Sequence, residues 1–404
     1  MNKPYPYALF SAFGVEMEYM IVDRKTLKAK AICDRLLFDF SQNYSGDFEN
    51  GEIDWSNELV AHVLEIKVHR PAQLSGLSEQ IFKNVQEINR ALEKYDAMLL
   101  PTSAHPFFEP ENETQLWPHE HNEIYALYNK VFDCKGHGWS NLQSTHLNLP
   151  FQDEKEFAIL HAAIRVLLPL IPAIAASSPI LEGELTGYED SRMVHYLNNQ
   201  KEVPSLMGQL IPEGVFSFEQ YHQEIFAPII KDFSCYESEG VMEHHFLNSR
   251  GAIARFDRGA IEIRVTDIQE CPSADLAIVE AVVGVLKLLC QNHVENPQKI
   301  QSIETTYLAG LFKETIADSR QVKVESEPYL HVLGITQVSS PQEIWSQLLH
   351  RIELSAEAET VVSNILLKGN LSQRITKSVK EGKSIEQVYQ QLGNCLAHNR
   401  VYEA

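Results

Sequence analysis

Six side chains of this 404-residue chain have the chemistry to hold divalent cations together: Glu16, Glu18, Glu58, Glu65, His146 and Glu262. A hard cation such as Mg²⁺ takes oxygen ligands, one or two carboxylates per ion, and fills its octahedron with phosphate oxygens and water. Glu16 and Glu18 form an E-x-E pair, which on one strand face can serve two neighbouring ions. Taken alone, such a pair is most often a solvated strand face. Glu65 also suits a surface pair with Lys67, and Glu262 an ion pair with Arg264. A single His146 is more often a satisfied core or surface histidine than a ligand. Recurrence favours the cation reading, because four separate segments each put acids or a histidine on a non-core face. Arg192, Arg255 and Arg264 are candidates for anion binding, since the guanidinium fork matches phosphate and carboxylate. Arg250 and Arg258 serve equally well as surface charges.

Four strands are expected to carry these residues. In Ala12–Val22 the alternation sets Val15, Met17, Tyr19 and Ile21 on an apolar face and Glu16 and Glu18 on the other. Leu59–Val68 sets His62, Leu64, Ile66 and Val68 against Ala61, Val63, Glu65 and Lys67. Leu142–Leu149 turns Ser144, His146 and Asn148 one way and Thr145, Leu147 and Leu149 the other. Ala260–Ile268 has an apolar face of Ile261, Ile263 and Val265 and a polar face of Glu262, Arg264 and Thr266. Glu58 and Glu65 are an odd number of residues apart, so Glu58 must sit in the preceding loop, or a bulge must intervene, if both serve one site.

Helices are expected behind these strands. Leu74, Leu77, Ile81, Val85, Ile88 and Leu92 recur at helical steps. Ala274–Cys290 is entered through Pro272 and Ser273, with Asp275 near its positive end. Val166–Leu181, broken by three prolines, reads as a buried helix and its exit turn rather than a membrane span. The region from about 300 to 404 is mainly helical, with Ser384 and Gln387 as a capping box for a helix toward His398. The fold class is α+β, a mixed or antiparallel sheet with helices against its apolar face.

Composition narrows the function. The net charge is −21, from 34 Lys+Arg against 55 Asp+Glu, which argues against nucleic acid or an anionic membrane as partner. It leaves nucleotide binding open, because carboxylates can hold phosphates through divalent cations. The six cysteines are scattered without C-x-x-C, so reduced thiols and a cytoplasmic location are expected. Met1–Phe10 lacks the basic start and apolar run of a leader. There is no P-loop, no G-x-G-x-x-G and no nucleophile elbow.

Several segments then resemble one family in order. Phe13-Gly14-Val15-Glu16-Met17-Glu18-Tyr19 resembles the opening G-V/I-E-x-E strand of the type 2 glutamate–cysteine ligases, which are carboxylate–amine ligases. Glu58-Leu59 followed by Leu64-Glu65-Ile66 resembles their second acidic strand, and Ser144-Thr145-His146-Leu147-Asn148 their T-H strand. Ala175-Ala176-Ser177-Ser178-Pro179, with Gly183, Thr186-Gly187-Tyr188 and Arg192, resembles their S-A-S-S-P segment. Ala254-Arg255-Phe256 and Ile261-Glu262-Ile263-Arg264-Val265-Thr266-Asp267 resemble their late strand. The resemblance covers roughly residues 13 to 290. Asn148 stands where many relatives have a second histidine.

The resemblance implies a glutamine-synthetase-like catalytic fold, with a curved antiparallel sheet, helices packed on one face, and 1–404 as a single catalytic domain. It implies ATP with Mg²⁺, or Mn²⁺, held by Glu16, Glu18, Glu58, Glu65, His146 and Glu262. Arg192, Arg255 and Arg264 would hold phosphate or the activated carboxylate. The reaction implied makes an amide through an acyl phosphate, with glutamate as acyl donor and cysteine or another amine as acceptor. Partners are then small molecules, with neither nucleic acid nor membrane, and a homo-oligomer stays open. Two other readings remain, a guanidino kinase-like phosphotransferase and a non-catalytic nucleotide- or metabolite-binding relative.

Overall fold

A computed structural model describes residues 4–120, 122–236 and 244–404. Met1–Lys3, the start of the segment read above for a leader, lie outside the described residues. The expected strands form, with additions. Among the described residues the strands are β1 (Gly14–Asp23), β2 (Asp47–Phe48), β3 (Ile53–Asn57), β4 (Val63–Val68), β5 (Ala97–Leu100), β6 (Ser144–Pro150), β7 (Ile180–Leu181), β8 (Glu184–Leu185), β9 (Ala252–Arg255) and β10 (Ala260–Asp267).

Eight of them make one antiparallel sheet in the order β2-β3-β4-β1-β6-β10-β9, with β5 also paired to β1. β7 and β8 form a separate two-stranded ribbon. The long β1 is central: its first half pairs with β6, its middle with β4 and its end with β5.

One face of the sheet is the core. Val15, Met17, Tyr19 and Ile21 meet Trp55, Leu64, Ile66, Leu147, Leu149, Ile261 and Ile263 there, all buried. The helix Leu77–Leu92 packs against that layer with the predicted stripe of Leu77, Ile81, Val85, Ile88 and Leu92. The helix Pro272–His293 starts beneath β6. Its Asp275 is buried, and its Oδ1 accepts from Thr145 Oγ1 (2.7 Å) and Gln269 N (2.9 Å). The second half of the helix Glu154–Leu167, from Leu160 on, and the proline-punctuated turns to Ala175 are buried, as expected for Val166–Leu181.

Seven helices run from Gln298 to His398. They add Leu308, Phe312, Trp345, Leu348, Val362 and Leu396 to the same core cluster. The Ser384–Gln387 capping box is present. Among the described residues, no helix is long and apolar enough to cross a membrane. The six cysteines are free thiols, four of them buried.

Two local expectations need correction. The strand expected from Leu59 begins only at Val63, and residues 59–62 turn into it. His62 therefore leaves the predicted strand face, and its Nε2 lies 2.8 Å from Ser140 O in the interior. Arg250 is not a surface charge. It is buried, and its guanidinium grips Glu213 at 2.6 and 2.7 Å.

Candidate active site

Strand register arranges the polar face in rows. One row runs Ser56, Glu65, Glu18 across β3, β4 and β1. Ser144 on β6 joins it, donating to the Glu18 carboxylate from N at 2.8 Å and from Oγ at 3.0 Å. The next row runs Asp54, Lys67, Glu16, His146. A third runs Gly14, Asn148, Glu262, Ile253. A Cβ at position 14 would meet Asn148 Cβ at 2.9 Å, so glycine keeps the floor of this row open. Glu58 lies in the loop between β3 and β4, which resolves its parity mismatch with Glu65.

The register breaks once. Between Ile263 and Thr266, β10 holds two residues, Arg264 and Val265, opposite His146. Thr266 therefore pairs with Thr145 and leaves the polar row predicted for it. Asp267 pairs with Ser144 and takes its place on the site face. Asp267 accepts from Ser177 N at 2.7 Å, from Ser178 Oγ at 3.2 Å and from Arg192 Nε at 2.5 Å.

Five of the six predicted ligands converge in two groups, and the sixth, Glu58, lines the adjoining chambers without joining either group. Glu16, His146 and Glu262 bring one ligand atom each within 4.8 Å of one another, and Glu18, Glu65 and His146 do the same. His146 is common to both groups. Its Nδ1 lies 3.3 Å from Glu16 and 3.8 Å from Glu262, and its Nε2 3.7 Å from Glu18. Glu65 is paired with Lys67 at 3.2 Å, as the alternative reading held, yet it is buried rather than on the surface.

Charge in this cluster is unevenly balanced. Burial and the neighbouring Glu18 and Glu65 carboxylates push Glu58 well above the usual range. Burial, then Glu16, pushes Glu65 up to about 7, against the pull of Lys67. Glu16 goes the other way. Burial would raise it, but the hydrogen bond and charge of His146 overcome that and hold it down to about 2. His146 resists its own burial because Glu18 and Glu16 favour the imidazolium, which raises it to about 9.

The three predicted arginines also arrive. Arg264 sets Nε 3.0 Å from Glu262 in an ion pair. Arg255 reaches Glu262 at 3.4 Å and Asp257 at 3.0 and 3.1 Å. Arg192 is buried on the short helix Ser191–Tyr196, held by Asp267, with its Nη2 unpaired.

Two chambers meet over this cluster. The first, about 630 Å³, is lined by charged groups that include Glu16, Lys67, Arg255, Arg258 and Glu262. The second, about 580 Å³, holds Glu18 and Arg192 against an aromatic wall. Glu58, His146, Phe246 and Arg264 border both.

Sequence reasoning assigned no role to Lys67, Asp267, Ser144 or the aromatic wall. Lys67 was visible on the Glu65 face, and Ser144 on the His146 face. Asp267 was hidden by the bulge.

The chain is 31% identical to an uncharacterized protein of Archaeoglobus fulgidus, over 96% of this chain and 99% of the relative. It is 25% identical, over 72% of its length, to a protein of a Bradyrhizobium species that carries the provisional name glutamate–cysteine ligase 2. The match spans 64% of that relative. Among solved structures, the glutamate–cysteine ligase of Francisella tularensis in complex with AMP superposes with a TM-score of 0.57 at 12% identity. That superposition covers 98% of this chain and 91% of the other. The bifunctional glutathione synthetase of Pasteurella multocida gives 0.55 at 12%, covering 96% of this chain and 51% of that one. These two share the α+β fold. The profile of glutamate–cysteine ligase family 2 matches residues 12–314, and the chain belongs to that family.

Proposed function

We propose that residues 1–404 act as one catalytic unit, an ATP-dependent carboxylate–amine ligase of the cytoplasm that forms an amide through an acyl phosphate. Glutamate is the acyl donor, and cysteine or another amine the acceptor. The observation that carries the reading is the pair of carboxylate triads sharing His146 at the junction of two chambers, beside Arg264.

The donor set fits Mg²⁺, with Mn²⁺ as substitute. It is rich in carboxylate oxygen, contains one imidazole, and includes Glu58 and Glu65, which burial and then neighbouring carboxylates hold above the usual range. Glu16, His146 and Glu262 would hold one ion. Glu18 and Glu65, with Glu58 beside them, would hold a second, because the one lone pair of a neutral imidazole serves a single ion. Bound there, the ions would neutralise and orient the phosphates of ATP.

The first chamber supplies Lys67, Arg255 and Arg258 for the phosphate tail. Arg192, fixed by Asp267, keeps Nη2 for a substrate carboxylate in the second. The donor carboxylate oxygen attacks the γ-phosphorus, the bond to the β,γ-bridging oxygen breaks, and ADP leaves. The amine nitrogen then attacks the acyl carbon. The bond from that carbon to the phosphate oxygen breaks, and the amine gives up a proton. Arg264, bordering both chambers, stabilises charge on the transferring phosphoryl group. None of the chain's own cysteine thiols takes part in the chemistry.

The test is ADP release with glutamate and a panel of amines, with product mass measured. ADP and phosphate in equal amounts, with an amide formed only when both substrates are present, is the expected result. ADP without free phosphate would mean a phosphotransferase. ATP binding without turnover across the panel would mean a non-catalytic relative.

A further inference from the structure

We infer that the second chamber takes an amino acid with an aromatic or long apolar side chain, in preference to one as small as cysteine. The inference rests on the ligase reading for the use of the site, and on the chamber itself for the fit.

The wall is aromatic, and its polar ends are already engaged. Tyr128 Oη donates to Phe246 O at 2.7 Å, and Tyr196 Oη to Ser249 O at 3.0 Å. Trp139 Nε1 donates to Asn199 O at 3.0 Å, and Tyr125 Oη accepts from Asn57 Nδ2 at 3.2 Å. What these four rings offer a ligand is therefore mainly carbon. Val63 and Leu142 continue the same surface.

Polar groups line the rest of the chamber: Glu18, Glu58, His146 and Arg264 on the side of the cluster, and Asn199 and Gln200, whose Oδ1 and Oε1 have no partner among the described residues. Arg192 is 3% exposed, and its Nη2 has no partner among the described residues. A buried unpaired guanidinium nitrogen is costly, and a ligand carboxylate satisfies it with a charge-assisted bond. The chamber thus combines an anion-binding end with an apolar body of about 580 Å³. Cysteine would leave most of that wall in contact with water. An aromatic side chain displaces the water and covers the rings. The first chamber, with Lys67, Arg255 and Arg258, is the better match for the phosphates, which leaves the aromatic one to the amino acid.

The experiment uses the full chain loaded with Mg²⁺ and ADP. Calorimetric titration should show phenylalanine binding at least about tenfold tighter than cysteine, the scale on which apolar pockets discriminate. Cysteine binding as well as phenylalanine would overturn the inference, and so would competition between phenylalanine and ADP. Leu142→Trp fills the chamber from a half-buried position. With its fold verified by circular dichroism, it should weaken phenylalanine more than cysteine. Equal effects on both ligands would overturn the inference. Hydroxylamine trapping separates the two claims. Glutamate, ATP and hydroxylamine should give the hydroxamate whatever the acceptor chamber prefers. Phenylalanine binding without hydroxamate sinks the ligase reading alone, whereas hydroxamate with a preference for cysteine sinks this inference alone.

Discussion

The two carboxylate triads share one imidazole but are compensated differently by the chain. In the first, Glu16 receives His146 Nδ1 at 3.3 Å and Asn148 Nδ2 at 3.0 Å, and Glu262 lies between Arg255 and Arg264. In the second, Glu18 receives the two donors of Ser144, and Glu65 receives Ser56 Oγ at 2.7 Å and Lys67. Glu58 adds a third buried carboxylate to that side. The first triad is close to neutral with its own arginines. The second sets three carboxylates against Lys67 and a shared histidine. A cation from solution therefore gains more at the second, where the chain has left the charge uncompensated.

Metal removal is the strongest way to break this comparison. Excess EDTA should abolish ATP-dependent turnover, and added Mg²⁺ or Mn²⁺ should restore it. Full turnover in EDTA would remove the metal reading altogether. Mn²⁺ titration followed by electron paramagnetic resonance should then resolve two classes of site. Glu65→Gln should lose the tighter class and Glu262→Gln the weaker. One class lost equally in both variants would show that the chain's own counter-charges do not distinguish the triads.

Within the first triad, Glu262→Gln and Arg264→Ala should fail differently. The Gln variant keeps the shape and loses a ligand charge, so extra Mg²⁺ should restore part of the rate. The Ala variant loses a charged hydrogen bond of roughly 1.5–3 kcal/mol. If that bond forms only in the transition state, kcat falls about ten- to a hundredfold, and Mg²⁺ does not restore it. Near-wild-type kcat in both, measured across Mg²⁺ concentrations, would reduce the pair to a structural ion pair.

Much of this layout was legible in the sequence because alternation is local. Val15, Met17, Tyr19 and Ile21 marked the core face of β1, and with it the direction of Glu16 and Glu18. The odd spacing of Glu58 and Glu65 left a loop or a bulge as alternatives, and the structure has the loop, between β3 and β4. The strands β3, β5 and β9 were missed. They are four or five residues long, and pairing rather than pattern makes them strands. The bulge in β10 carries no glycine or proline to betray it, so Thr266 was placed on the wrong face. Arg250 looked like a surface charge because Glu213, its partner, is brought to it only by the fold. The aromatic wall was invisible for the same reason. It joins the helix Asn122–Phe132 to Trp139 and to the helix Ser191–Tyr196.

Acidity should separate the triads by sign. Glu65 has a folded pKa of about 7 against an ordinary 4.5. Its penalty is complete above pH 7 and is relieved as pH falls toward 4.5, by about 1.4 kcal/mol per unit. Glu16 is held down to about 2, so its contribution is present above 4.5 and is lost as pH falls toward 2. His105 opposes Glu65 in the same window. It is buried and neutral, with Nε2 donating to Leu27 O at 2.6 Å and Nδ1 accepting from Phe107 N at 3.1 Å. Burial brings it to about 4, so its contribution is present above 6.5 and is lost below. The useful reading is therefore the difference between wild type and Glu65→Gln without metal. The variant should be the more stable at about pH 8, and the gap should close by about pH 5, as followed by thermal denaturation. Mg²⁺ at about pH 8 should close the gap as well. A gap independent of pH would contradict the charge imbalance assigned to the second triad.

The smallest expected effect concerns Asn148. Its Nδ2 donates to Glu16 Oε1 at 3.0 Å, and its buried Oδ1 has no partner among the described residues. The amide thus does one measurable thing in the chain, which is to steady a carboxylate of the first triad. His146 still holds the other oxygen of Glu16 at 3.3 Å, so the carboxylate is not released when the amide is lost. Asn148→Ala should weaken only the looser class of Mn²⁺ site, by about tenfold, the low end for one hydrogen bond to a charged group at about 1.5 kcal/mol. The tighter class should stay as it is, because Glu18 and Glu65 draw their donors from Ser144, Ser56 and Lys67. Asn148→Asp adds a charge beside Glu16 and Glu262 and should tighten the same class instead. If the alanine variant weakened both classes alike, the triads would be one coupled cluster, and the division argued from their separate counter-charges would fall.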